Sequence, residues 1–116
     1  MVYIGLNPRE VTAFEFVQKL ERCPRREMQS EEVKALLSGD YRSCCNMNHR
    51  PVLDIVRKRT GVSIRIETQP LLHRLHKGDK VIIVILSNLP QLAQDEKYTA
   101  EELRKGRIFF RLYTVN

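Results

Sequence analysis

The run Val81-Ile-Ile-Val-Ile-Leu86 is the longest uninterrupted apolar stretch in the chain, and it constrains the fold more than any other segment. Its length suits a β-strand and falls far short of the roughly 20 residues that a helix needs to cross a bilayer. Lys77-Gly78-Asp79 reads as the turn that feeds it. A second strand is expected from Val62 to Glu67, because Val62, Ile64 and Ile66 alternate with Ser63, Arg65 and Glu67, giving one buried and one wet face. Short strands are expected at Val2 to Leu6 and at Ile108 to Val115.

The segments between these strands carry helix signals. Pro8 marks a turn before a helical or irregular stretch from Ala13 to Leu20, which Cys23-Pro-Arg-Arg breaks. A helix opens at Ser30, buries Val33, Leu36 and Leu37, and stops at Gly39. Another runs from Pro51 with Val52, Leu53, Ile55 and Val56 on its apolar face, gathers Arg57, Lys58 and Arg59 at its negative end, and stops at Gly61. Thr99 caps a third helix, with Glu102 at the capping-box position and Gly106 as its stop. The pattern predicts an α/β fold: a single compact domain over residues 1–116, with one mixed β-sheet flanked by helices.

A chain of 116 residues has room for one modest core, and 42% apolar residues exclude global disorder. Twenty Lys and Arg against fourteen Asp and Glu give a net charge of +6. That excess favours polyanionic partners without separating DNA, RNA and small nucleotides. No membrane span or secretory leader is read, so a cytoplasmic setting is the default expectation. Cys23 stands alone and Cys44 and Cys45 are adjacent; even with His49 they make no zinc framework and read as small apolar fillers. No metal or other cofactor is expected.

The most chemically suggestive stretch is Asn46-Met-Asn-His-Arg-Pro51. A helix opening there would aim unpaired N–H groups at the volume that His49 and Arg50 can reach, an arrangement suited to phosphate. Asn48 is a candidate cap. The alternative is a structural or exposed helix-start histidine with solvated arginines beside it.

The order Met1-Val-Tyr-Ile-Gly-Leu-Asn7, Asn48-His49 opening a helix, Thr60-Gly-Val-Ser-Ile64, His76-Lys-Gly-Asp79, the apolar strand, Leu89-Pro90 and Thr99-Ala-Glu-Glu-Leu103 resembles the viral ring nucleases that act as type III anti-CRISPR proteins. The resemblance implies a small homodimer that binds cyclic tetraadenylate across its interface, cleaves it without a metal and silences a host alarm signal, in the host cytoplasm if the chain is viral. It implies that Asn7 lies near the ligand and that His49 is the general acid. The chain departs from the family at three places. Arg50-Pro51 stands where the family has small polar residues. Asn88-Leu89-Pro90-Gln91 replaces the family's Arg-Leu-Pro-Glu, so both charged groups are absent. Glu67-Thr68 replaces its Asn-Arg, leaving Arg65 or Arg74 to reach the phosphate.

The chemistry follows from the residues present. A ribose 2'-OH attacks its neighbouring phosphate in line, a donor protonates the departing 5'-oxygen, and positive groups hold the developing charge. His49 is the proton donor in this reading, and linear oligoadenylates with 2',3'-cyclic phosphate ends are the products. Arg42 and Arg50 would hold phosphate oxygens, Asn46 and Asn48 would read base edges or support the ring, and Asn88 and Gln91 occupy the altered ligand positions. The missing arginine and glutamate leave a non-catalytic cyclic-nucleotide sponge as an open alternative. A DNA- or RNA-binding regulator is another, resting on the basic neighbourhood of Arg65, His73, Arg74, His76, Lys77 and Lys80. A purely structural or protein-binding module is the third.

Overall fold

The computed structural model describes residues 1–12, 14–67, 74–92 and 95–116. Five strands, β1 (Val2–Gly5), β2 (Arg25–Met28), β3 (Tyr41–Ser43), β4 (Lys80–Ser87) and β5 (Arg107–Thr114), form one mixed sheet in the order β2-β5-β4-β1-β3. β1 lies between β3 and β4 and runs parallel to both, while β5 pairs antiparallel with β4 and β2. The apolar run is thus an interior strand, and its alternate residues feed two cores.

One face buries Ile4, Ile82, Val84, Phe110 and Leu112 beneath Val33 of helix α3 (Ser30–Leu37) and Val52, Leu53 and Val56 of helix α4 (Arg50–Thr60). The other buries Tyr3, Val81, Ile83 and Tyr113 with Val11 of helix α1 (Pro8–Val11) and Leu20 of helix α2 (Phe14–Glu21). Each fully buried aliphatic side chain contributes about 1.5–3 kcal/mol relative to exposure. Helices therefore flank the sheet on both faces.

Several boundaries differ from the sequence reading. Pro8 opens a helix at N1 instead of marking a simple turn, because Asn7 caps it by accepting a hydrogen bond from the Arg9 N–H at 3.0 Å. α3 starts at Ser30 as expected, with Gln29 at its cap position, and ends at Leu37, before Gly39. Gly61 does stop α4, in the left-handed region at φ 75°. Helix α5 (Ala100–Lys105) has the expected reciprocal bonds between Thr99 and Glu102, and Gly106 follows it. β4 extends the expected strand by one residue at each end, and β5 is shifted by one residue, starting at Arg107 and ending at Thr114. The expected Ala13 start, Thr68 and His73 lie outside the described residues.

The largest correction concerns Val62 to Glu67, which forms no strand. Its alternation is real: Val62 is buried, and Ile64 and Ile66 pack on the first core. The hydrogen bonds, however, come mostly from side chains. Tyr41 Oη accepts from the Arg65 N–H at 3.1 Å, the Arg65 guanidinium donates to the Tyr41 carbonyl at 2.6 Å, and the Ser43 N–H donates to Glu67 Oε1 at 3.1 Å. A single backbone bond, Glu67 N–H to Cys45 O at 2.9 Å, completes the attachment. The segment thus covers the outer edge of β3 without extending the sheet.

Candidate functional site

β1 and β3 run parallel, so the loops leaving their carboxyl ends emerge side by side. Open α/β sheets place ligands at that position. Gly5 makes the approach close: a Cβ there would meet Val11 Cγ2 at 2.8 Å and Cys44 Cβ at 3.3 Å. The absence of that carbon lets α1 and the 44–49 loop close over the end of β1.

The loop carries a 3-10 turn, Met47–His49, and its hydrogen bonds fix the histidine. The Asn46 N–H donates to His49 Nδ1 at 2.9 Å, the His49 N–H returns to the Asn46 carbonyl at 3.0 Å, and Asn46 Oδ1 accepts from the Asn48 N–H at 2.9 Å. Asn46 caps this 3-10 turn and Asn48 lies inside it, while the cap position of α4, expected at Asn48, is taken by His49 without a side-chain capping bond. Because Nδ1 is an acceptor, Nε2 is the nitrogen that carries the ring's proton. Nε2 faces Glu10 Oε1 at 3.4 Å, and the imidazole is only 12% exposed. The other carboxylate oxygen, Glu10 Oε2, is buried and has no hydrogen-bond partner.

Glu10 is absent from the sequence-based site. One signal was available: Asn7 and Glu10 stand three residues apart behind a helix-starting proline, the capping-box spacing. In the structure the glutamate reaches across to His49 instead of returning to its own cap.

The remaining candidates have varied settings. Arg42, registered opposite Tyr3 on β3, pairs with Glu67 at 3.9 Å. Arg65 is engaged by Glu67 at 3.3 Å and lies over the Tyr41 ring at 4.6 Å. Arg50 donates to Met47 Sδ at 3.6 Å and lines a cleft of about 380 Å³ with Lys58, Lys97 and Tyr98 between α4 and the start of α5. Gln91 lines a smaller cavity of about 280 Å³ with Leu6, Ile83 and Leu89. Asn88 adopts a positive φ of 59°, which asparagine tolerates, and donates to the Lys105 carbonyl at 3.5 Å. His76, by contrast, is fixed by Asp79 in the turn before β4, at the amino end of the parallel strands. His76, Lys77 and Lys80 of the expected basic neighbourhood are thus at the opposite end of the sheet from His49. Arg74 stacks over Phe16 at 5.4 Å.

Burial pushes the Cys44 and Cys45 thiols up to about 12, and nearby Glu10 adds to the effect at both. They are protonated packing groups at neutral pH. Among the described residues, no group of three or more His, Cys, Asp or Glu side chains could hold a metal ion, and no helix is long and apolar enough to cross a membrane.

These features define an α/β protein with a histidine-carboxylate pair at the carboxyl end of its parallel strands. No family model and no curated protein matches the sequence. The fold is similar to that of B116 of Sulfolobus turreted icosahedral virus, with a TM-score of 0.55 at 12% identity over 97% of each chain. At that identity the likeness is one of fold.

Proposed function

We propose that the chain, acting as one ring-nuclease-like domain in a homodimer, binds cyclic tetraadenylate at the carboxyl end of β1 and β3 and cleaves it slowly without a metal, countering type III CRISPR signalling. The observation that carries this reading is the fixed orientation of His49, whose Nε2–H faces Glu10 while the Asn46 N–H holds Nδ1. In the reaction the 2'-OH gives up its proton to solvent as its oxygen bonds to phosphorus, and the P–O5' bond breaks. His49, doubly protonated and with Nδ1 released from the Asn46 N–H, gives its Nε2 proton to the departing 5'-oxygen and is left as the neutral imidazole, and the product carries a 2',3'-cyclic phosphate. Glu10 holds the Nε2–H until the ring displaces it. Asn88 and Gln91 bring no charge to the reacting phosphate, which accounts for a slow rate.

A binding-only sponge is the second reading. It is favoured by the structural use of His49 Nδ1 as a cap and by the burial of the imidazole. Incubation with a panel of cyclic oligoadenylates, read for complex formation and for linear products, tests both. Complex with linear product supports the enzyme, and complex with an unchanged ring selects the sponge. Absence of ring binding together with salt-dependent binding to long duplexes would replace both readings with a nucleic-acid regulator.

A further inference from the structure

β4 outruns its parallel neighbour. The ladder with β1 ends at Gly5 opposite Ile83, whereas β4 continues to Ser87. The Lys80 N–H donates to the Met1 carbonyl at 3.0 Å, and the Asp79 carbonyl just before it accepts from the Val115 N–H at 2.9 Å. A strand turns the backbone groups of successive residues to opposite sides, so the even-numbered residues of β4 face β1 and the odd-numbered ones face β5. The register makes the Val84 N–H to Gly5 carbonyl bond the last rung. Beyond it the Val84 carbonyl, the Leu86 N–H and the Leu86 carbonyl point away from β5, and none of the three has a hydrogen-bond partner among the described residues. They border the cavity of about 280 Å³ that Leu6, Leu89 and Gln91 also line.

We infer that this notch is a base-reading subsite and that it selects adenine. The inference rests on the proposed function for the ring, although the notch itself asks only for an adenine base. Along the edge the open groups run acceptor, donor, acceptor. The Watson–Crick edge of adenine complements them: its N6–H meets the Val84 carbonyl, its N1 accepts from the Leu86 N–H, and its C2–H lies against the Leu86 carbonyl. Guanine and hypoxanthine set O6 against the first carbonyl and N1–H against the N–H, so both contacts become repulsive. Uracil fails in the same way, and cytosine sets its O2 against the Leu86 carbonyl. Leu6, Ile85 and Leu89 supply apolar walls. The volume lies just under the roughly 300–1,000 Å³ of sites for drug-sized ligands, which suits one base. β1 separates β4 from β3, so the notch and the loop that carries His49 leave strands two spacings apart, roughly 10 Å. One nucleotide covers that interval from base edge to phosphate.

The test is amide hydrogen exchange and titration of the wild-type protein with adenosine 5'-monophosphate (AMP), its analogues and, separately, cyclic tetraadenylate. Without ligand the Leu86 N–H should exchange quickly while the laddered Ile82 N–H is protected. Saturating AMP should slow exchange at Leu86 about tenfold or more. Inosine 5'-monophosphate and 1-deazaadenosine 5'-monophosphate should each bind about tenfold more weakly than AMP. Leu86→Pro removes the N–H on the open side without costing a β4–β5 bond and should weaken AMP binding to a similar degree. Protection of Leu86 by AMP or by the ring supports the subsite. A Leu86 amide protected in the free protein, protection by neither ligand, or equal affinity for the three nucleotides would overturn it. Ring binding that leaves Leu86 unprotected removes this subsite and leaves the proposed function standing, whereas AMP bound at Leu86 with no ring binding keeps the subsite and removes the ring.

Discussion

His49 Nε2 lies 3.4 Å from Glu10 Oε1, so a histidine at the start of α4 is held against a glutamate on α1 that belongs to the other layer of the fold. The same imidazole receives the Asn46 N–H on Nδ1 at 2.9 Å. One side chain thus serves both as a structural cap and as the proposed proton donor, and substitutions can separate these two duties.

His49→Gln retains an acceptor at the capping position but has no transferable proton of the required acidity. Its thermal stability should stay near wild type, whereas His49→Ala should lose about 1 kcal/mol. Both should reduce ring cleavage by about 10²- to 10⁴-fold with a smaller change in affinity. Single-turnover assays with excess protein measure the first effect, and ring titration the second. Cleavage that survives in both variants would place the chemistry elsewhere.

Arg50 is exposed, and its recorded contact is with Met47 Sδ. Arg50→Ala should change unfolding free energy by no more than about 0.5 kcal/mol. Under the proposed function it should weaken ring binding. An unchanged titration would return Arg50 to the solvated charges and leave phosphate capture to Arg42.

Gly106 is tightly enclosed. A Cβ at this position would meet Leu89 Cγ at 2.3 Å and the Glu102 carbonyl oxygen at 2.7 Å. Gly106→Ala should therefore destabilise by about 1–3 kcal/mol. Adding Leu89→Ala should recover only part of this loss, because the clash with the backbone oxygen persists. Denaturant midpoints of the single and double variants measure both effects.

The cysteine thiols set an alkaline response. Burial raises Cys44 and Cys45 from 9.0 to about 12 in the folded protein, while the unfolded chain releases these protons near the lower value. Between these values the folded state binds more protons, so stability is fully present below about pH 9 and falls as pH rises toward 12. Tyr3 and Tyr98, also raised chiefly by burial, act in the same direction. Alkylation at pH 8 should be slow at both cysteines in the native protein and become rapid in denaturant. Rapid native labelling of Cys45 would contradict its burial.

The parts legible in the sequence are those where local pattern and tertiary setting agree. The apolar run of β4, the α4 stripe ending at Gly61 and the Thr99-Glu102 box of α5 fall in this class. β2 and β3 were not legible: Arg25-Arg-Glu-Met28 and Tyr41-Arg-Ser43 become strands only by pairing with β5 and β1. Residues 62–67 show the converse, since their alternation reports burial while side chains supply most of the hydrogen bonds. In the site, His49 stood out by its position before a proline-started helix. Glu10 did not, because only the packing of α1 against the 44–49 loop brings it near.

The side-chain cover on β3 has a consequence for assembly. A filament built by strand addition needs two open edges on every copy, one to donate and one to receive. Here the outward Tyr41 carbonyl, Ser43 N–H and Cys45 carbonyl are already occupied by Arg65 and Glu67. Any addition at β2, whose Arg25, Arg26 and Glu27 already disfavour it, would end at two copies, so this sheet does not propagate by strand addition.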